Sequence, residues 1–504
     1  MLKAGDYIDA PMDLLRTILL NGIKHPKRIA IIDDRKEYSY FKVMAAVFHL
    51  ARHIKAMTTL DKIGLLLPTS GAPPLCILAA WQAGKTPLPL NFLYAKEELH
   101  YVIAHSGIDT IITVGPMLDF LGGAEIIPAN IKVVKIEDLS FKGLPPIRWP
   151  RKISDDELAT ILYTSGTSGK PKGVMLSHGN LRSDVYACID HVGLVAANTF
   201  VGVLPQFHSF GLTALSLLPL AMGAKVVYQA RFVPHKLVDL IRTHKPDVIM
   251  AVPTMYSAML NVKTAKREDF ASIQHAVSGG EPLPSTVAQG FIDKFGCQLT
   301  EGYGLTETSP VVSWAMRTNA RPGSVGTLVG GAECLIVDDN DKALARGEQG
   351  EILFAGPMVF KGYFKDEEQT KNAFVDIGGK KWFRTGDIGK LDADGHLYIT
   401  GRKKEMLIVG GFNVFPRVVE ECINNHPAVK ESGVVGKHDD ARGEVPIAFV
   451  EVHEGQVFDE TSIRDFCRKN LANYEVPKEI IRVETLPRGP TGKVLRRKLK
   501  ELKQ

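Results

Sequence analysis

The sequence has few cysteines, and they do not group. Cys76, Cys188, Cys297, Cys334, Cys422 and Cys467 lie far apart, with no C-x-x-C pair and no neighbouring histidine cluster. This excludes a disulfide framework and a cysteine-held zinc site, and it points to a reducing compartment. Long apolar runs are lacking as well. The longest, 75–83 and 212–224, are interrupted by Gln, Pro or Gly and fall short of the roughly 20 residues that a membrane-spanning helix needs. The opening Met1-Leu2-Lys3-Ala4-Gly5-Asp6 lacks the basic-then-apolar order of a secretory signal, so a cytoplasmic location is expected, with peripheral contact at the inner membrane face left open. A net charge of +5 spread over 504 residues leaves no basic footprint for nucleic acid.

What is present is an ordinary folded composition, 45% hydrophobic and 23% charged, in a chain long enough for about three folding units. Between about 29 and 301, short apolar runs (62–67, 110–114, 160–163, 201–204, 225–228 and 248–251) alternate with helical patterns such as 210–222 and 234–244. Strand followed by helix, repeated, predicts an α/β fold of doubly wound, mostly parallel sheets. From about 320 to 400 the rhythm changes to strands punctuated by Asp338-Asp339-Asn340-Asp341 and Asp394-Gly395, which predicts a small antiparallel, barrel-like β subdomain. After Gly401-Arg402-Lys403-Lys404 a separate α+β unit of roughly 100 residues is expected. The predicted division is an N-terminal part over 1–403 and a C-terminal domain over 404–504.

The most informative string is Tyr163-Thr164-Ser165-Gly166-Thr167-Ser168-Gly169-Lys170-Pro171-Lys172-Gly173. Glycines let backbone N–H groups approach an anion, hydroxyls donate to it, and lysines neutralise it, so a polyphosphate suits this loop. It is not the common P-loop: Gly166 and Gly169 are too close, and Pro171 stands where that motif has its metal-binding hydroxyl. There is no G-x-G-x-x-G after a strand and no G-x-S-x-G elbow. Further strings follow in order: Leu204-Pro205-Gln206-Phe207-His208-Ser209-Phe210-Gly211, Ser278-Gly279-Gly280-Glu281-Pro282-Leu283, Glu301-Gly302-Tyr303-Gly304-Leu305-Thr306-Glu307-Thr308-Ser309-Pro310, Trp382-Phe383-Arg384-Thr385-Gly386-Asp387, Gly410-Gly411-Phe412-Asn413-Val414-Phe415-Pro416 and Leu486-Pro487-Arg488-Gly489-Pro490-Thr491-Gly492-Lys493.

In this order the strings resemble the adenylate-forming (AMP-binding) superfamily, in particular its acyl-CoA synthetase, or fatty acid–CoA ligase, branch. The resemblance implies ATP, Mg²⁺ and CoA as the small molecules used, with a carboxylic acid as substrate. It places Thr164, Ser165, Gly166, Thr167, Ser168, Gly169, Lys170 and Lys172 on the phosphates. Gly279, Gly280, Glu281, Glu301, Gly302, Tyr303 and Gly304 would line the adenine and the acyl group. Asp387 and Arg402 would hold the ribose. Thr306 would contact the α-phosphate, Glu307 would hold the metal, and His208 would sit beside the reacting carboxylate. Lys493 would bridge carboxylate and α-phosphate. Gly410, Gly411 and Phe412 would line the pantetheine path, and Lys404 would be the hinge of a mobile C-terminal domain. One departure is Val418, where relatives often have an acid; Glu420 keeps the next acidic position. The basic run Arg496, Arg497, Lys498, Lys500 and Lys503 reads as a solvated helix face.

A carboxylate is ionised at neutral pH and is a poor electrophile, so the implied chemistry is charge neutralisation and alignment rather than side-chain nucleophilic attack. Medium- or long-chain fatty acids are the expected substrates. Three other readings stay open: an acyl carrier protein as thiol acceptor, adenylation alone with a peptide-synthetase carrier as partner, and a non-catalytic nucleotide-binding protein on the same fold. A homodimer is suggested by analogy alone.

Overall fold

A run of short parallel strands, each followed by a helix that returns the chain to the same edge, organises the first three hundred residues. The computed structural model describes residues 12–143, 145, 148–164, 170–488 and 494–502. The sequence readings on Ser165, Gly166, Thr167, Ser168, Gly169 and Lys493 therefore lie outside the described residues.

The largest sheet has nine strands. Its interior is parallel and runs Leu299–Gly304, His275–Ser278, Val248–Ala251, Thr199–Gly202, Lys225–Tyr228, Ile29–Ile32, with antiparallel strands at both margins. The central strands Val248–Ala251 and Thr199–Gly202 are buried at every position, as expected of parallel strands covered on both faces. The connecting helices carry their own start and stop signals. Pro234–His244 opens on a proline and stops where Lys245 turns left-handed; Ser285–Phe295 stops at Gly296, also left-handed. A second, all-parallel sheet is ordered Thr86–Pro89, Lys62–Leu65, Thr110–Thr113, Lys132–Lys135.

Two smaller sheets matter for the site. Leu158–Thr164 and Lys172–Ser177 form an antiparallel hairpin with Thr164 paired to Lys172, and the two-residue strand Gly362–Tyr363 adds to its outer edge. The hairpin thus presents the mouth of the phosphate string at its tip. The expected β subdomain is a five-stranded antiparallel sheet built on the long strand Lys380–Leu391, with Leu397–Arg402 alongside it.

The smaller C-terminal part has its own sheet (Phe412–Val414, Leu407–Val409, Gly443–Val452, Val429–Asp439 and Glu479–Arg482) and its own apolar cluster around Val419, Ile423, Val434 and Ile463. Its helices include Pro416–Asn424 and Glu460–Asn470.

Two local expectations are corrected. The helix expected over 210–222 begins as an eight-residue π-helix, Phe210–Leu217, before the short α-helix Leu218–Ala221. Gly211 to Leu217 are all buried, so no polar face marks the pitch of this segment in the sequence. The basic run near the end is not uniformly solvated. Arg496 pairs with Glu420 at 2.6 Å and with Glu405 at 2.8 Å, whereas Arg497 next to it stays exposed. An acid on each side draws the first arginine inward.

Candidate active site

The site assembles where the ends of the parallel strands meet the hairpin and the β subdomain. Leu299–Gly304 leads into the tight turn Thr306–Thr308, and the turn is closed from within. Leu305 N–H donates to Pro310 O at 3.0 Å, and the Thr308 hydroxyl donates to the same oxygen at 2.6 Å. Gly304 is obligatory here, because a Cβ at that position would lie 1.8 Å from Pro310 O. The turn delivers Thr306 and Glu307 to one side.

Thr306 Oγ1 lies 3.3 Å from Ser209 Oγ, which joins the turn to the segment bearing His208. Phe210 N–H donates to His208 Nδ1 at 3.4 Å. Glu307 is half-buried; burial raises its carboxyl above the ordinary range, offset in part by the Tyr363 hydroxyl, which donates to Oε1 at 2.9 Å.

On the other side, Tyr303 donates its phenolic proton to Asp387 Oδ2, and Arg402 Nε lies 3.0 Å from Asp387 Oδ1. Asp387 and Arg402 face each other as a register pair in the β subdomain. The Asp387 charge holds the Arg402 guanidinium above its usual range. Each Asp387 oxygen keeps a further lone pair, so the carboxylate has acceptor capacity left for hydroxyls.

Ser278 ends its strand and is followed by Gly279 and Gly280, the latter with φ of 81°. Glu301 fixes this turn by accepting the Leu283 N–H at 3.2 Å. Burial pushes the Glu301 carboxyl up to about 7; the Leu283 N–H and the Arg417 charge act in the opposite direction. The glycine positions face apolar atoms: Phe210 2.9 Å from a Cβ on Gly279, Val252 3.7 Å from one on Gly280, Val277 3.6 Å from one on Gly302.

The structure therefore brings together Thr306, Glu307, Tyr303, Asp387, Arg402, Glu301 and the two glycines, with Thr164 and Lys172 at the neighbouring hairpin mouth. Glu281 lies close enough to Arg488 for its charge to support that guanidinium. Lys404 is drawn below its usual range by burial first and then by the Arg402 charge, and it feels both Asp387 and Lys172. Gly410, Gly411 and Phe412 stand apart at the surface of the C-terminal sheet. Phe412 is 56% exposed, and its ring stacks on Tyr474 with centroids 4.5 Å apart.

The profile of the AMP-binding enzyme family matches residues 21–364, and that of the AMP-binding enzyme C-terminal domain matches residues 418–493. The chain belongs to the AMP-binding enzyme family. Within this adenylate-forming superfamily it falls in the acid–CoA ligase branch. It is 31% identical over 541 residues to a long-chain-fatty-acid–CoA ligase of Bacillus subtilis, covering 97% of this chain and 95% of that one. It is 34% identical over 493 residues to 4-coumarate–CoA ligase 1 of Oryza sativa, covering 91% and 86%. ATP-bound MatB from Rhodopseudomonas palustris superposes with a TM-score of 0.88 at 31% identity, covering 97% of this chain and 99% of that one.

The donor set fits the magnesium ion that an ATP-using site implies. Among the described residues no group of three His, Cys, Asp or Glu side chains could hold a metal ion by itself; Mg²⁺ takes one or two carboxylates plus phosphate oxygens rather than a protein cage. Glu307 is the carboxylate that would hold it.

Two participants escaped the sequence reading. Tyr363 sits in a two-residue strand with no recognisable pattern, and Ser209 was read only as part of a string. For Ser209 the signal lay in its adjacency to His208; for Tyr363 there was none.

Proposed function

We propose that this enzyme activates a medium- or long-chain fatty acid as its acyl-adenylate and passes the acyl group to CoA. The observation that supports the acid class is the pair of partly exposed apolar side chains, Phe210 and Val252, that flank the Gly279–Gly280 turn. Its likeness to the Bacillus subtilis long-chain-fatty-acid–CoA ligase supports the same choice.

In this reading Tyr303 packs on the adenine, and Asp387 with Arg402 orients the ribose. The acid carboxylate, steered by His208 and the Gly279–Gly280 turn, attacks the α-phosphorus in line with the departing pyrophosphate. Both reactants are anionic, so fixed positive charge and aligned donors supply most of the rate. Lys170, Lys172 and the loop that precedes them hold the β- and γ-phosphates, Thr306 steadies the α-phosphate, and Lys493 bridges the two reacting groups. Bound at Glu307, Mg²⁺ would neutralise phosphate charge as it moves to the leaving group. The thiol of CoA then attacks the acyl carbon and AMP leaves. A turn about Lys404 would exchange Lys493 for the 410–412 loop between the two steps.

The test is a panel of acids from acetate to palmitate with benzoate and 4-coumarate, scored by AMP release with CoA and with acyl carrier protein in parallel. Highest kcat/KM for a C8–C18 acid with CoA is the expected result. A preference for an aromatic acid would overturn the acid class, and a preference for the carrier protein would overturn the acceptor.

A further inference from the structure

The motifs do not point to Tyr363, yet its side chain reaches two of the groups that handle phosphate. Its hydroxyl donates to Glu307 Oε1 at 2.9 Å, and the Lys172 ammonium lies 5.4 Å from the centre of its ring. The backbone around it repeats the tie. Phe360 N–H donates to the Glu307 carbonyl at 2.8 Å. Lys361 N–H donates to Met175 O at 3.0 Å, and Phe364 N–H donates to Gly173 O at 2.7 Å. Residues 360–364 thus fasten the Thr306–Thr308 turn to the strand that issues from the phosphate loop. Tyr363 is itself held in place, since its N–H donates to Thr370 Oγ1 at 2.8 Å.

Packing alone does not call for the hydroxyl. The ring meets Phe360 edge-on with centroids 5.0 Å apart, a contact that phenylalanine would make equally well. What tyrosine adds is a donor, and the donor is aimed at the acidic side chain of the turn. A carboxylate with one oxygen pinned in this way has a fixed rotamer and a second oxygen in a fixed direction.

We propose that Tyr363 is a positioning residue for ATP handling: its hydroxyl sets the Glu307 carboxylate and its ring sets the Lys172 ammonium, so both face the polyphosphate at a fixed separation before it arrives. The inference rests on the reading above in which Glu307 holds the divalent cation. Preorganised charge of this kind does not have to be rearranged during the reaction.

Three variants of the full chain test it: Tyr363→Phe, Tyr363→Leu and, as the reference, Glu307→Gln. Mn²⁺ binding in the presence of ATP is followed by electron paramagnetic resonance, and the Mg²⁺ dependence of pyrophosphate–ATP exchange is measured beside it. Tyr363→Phe keeps the ring over Lys172 and is expected to weaken Mn²⁺ binding about tenfold, the effect of one hydrogen bond to a charged group. The Mg²⁺ half-saturation should rise by the same factor, with acid KM and melting temperature unchanged. Tyr363→Leu should add about a threefold rise in KM for ATP, from the lost contact with Lys172. If Glu307→Gln weakens Mn²⁺ binding while Tyr363→Phe stays within twofold of wild type, the Tyr363 proposal is overturned and the site reading survives. If Glu307→Gln leaves Mn²⁺ binding intact, the metal assignment falls and the role of Tyr363 falls with it. An equal rise in acid KM and Mg²⁺ half-saturation in Tyr363→Phe also overturns it, because it would indicate a general loosening of the site.

Discussion

The phenol of Tyr303 and the guanidinium of Arg402 take opposite oxygens of one carboxylate, that of Asp387, which is 3% exposed. A buried acid is costly unless it is paired and hydrogen-bonded. Here two partners from distant parts of the chain meet both needs and fix the direction in which the carboxylate can accept from a ligand.

Asp387→Asn is expected to break this unit. The arginine loses its counter-charge, and one oxygen becomes an amide that competes for donors. Removing one partner of such a pair costs about 2–4 kcal/mol. KM for ATP should rise about 10- to 100-fold, while the KM for the acid changes little. Steady-state kinetics with each substrate varied in turn checks this; a selective rise in acid KM would contradict the ribose assignment.

The Glu301 carboxyl, raised to about 7 by burial, makes a pH-dependent contribution to stability. Between the ordinary carboxyl value of about 4.5 and about 7, the folded chain holds a proton that the unfolded chain has released. Unfolding free energy therefore falls as pH rises through that window and levels off above it. The span corresponds to about 3 kcal/mol. The groups facing Glu301 are Arg417, which opposes the rise, and Glu421, which adds to it. Glu301→Gln can still accept from Leu283 N–H but has no proton to lose. Its melting temperature should gain on wild type steadily from pH 5 to pH 7.5, and curves that run parallel would refute the titration of Glu301.

Two glycines in one strand give opposite predictions. At Gly304 a Cβ would strike the carbonyl of Pro310 at 1.8 Å, a backbone atom that cannot turn aside; at Gly302 the nearest atom is Val277 Cγ1 at 3.6 Å. Gly304→Ala should distort the turn carrying Thr306 and Glu307 and abolish adenylation, with activity down by more than about 100-fold. Gly302→Ala meets only ordinary van der Waals contacts and should keep its melting temperature and adenylation within about threefold of wild type. Pyrophosphate–ATP exchange and thermal melts of both variants separate the cases, and a Gly304→Ala variant as active as Gly302→Ala would refute the turn argument.

How much could be read beforehand follows from what each element needs. The parallel strands Lys225–Tyr228 and Val248–Ala251 are apolar runs bounded by polar turns, so burial on both faces announced them. The string at 301–310 was legible through its resemblance to the AMP-binding superfamily, whereas its closure by Gly304 and Thr308 is a backbone contact that the structure alone reveals. The π-helix at Phe210–Leu217 was not, since a segment buried all round has no polar face to betray its pitch. Arg496 was misread for a related reason: charge in a basic run says nothing of which member meets Glu405 and Glu420. Tyr363 was invisible because its importance lies in long-range contacts, to Glu307 and Lys172, that no local spacing encodes.

The last prediction concerns the division of labour between the two parts of the chain. Adenylation brings two anions together and needs a cation between them; thiolysis needs a path for pantetheine and no such cation. The resemblance assigns the first need to Lys493 and the second to Gly410, Gly411 and Phe412, whose loop stands exposed at the surface of the C-terminal sheet, Phe412 stacked on Tyr474. One group cannot serve both steps from one position. Lys493→Ala should therefore lower pyrophosphate–ATP exchange by on the order of 100-fold, the usual effect of removing one donor to developing charge. The rate at which CoA consumes supplied acyl-AMP should stay within about threefold of wild type, because that step begins after the phosphate charge has been dealt with. Phe412→Ala should do the reverse, slowing thiolysis while leaving exchange intact. If either substitution slows both half-reactions equally, the two parts do not trade places between steps, and Lys404 has no hinge to serve.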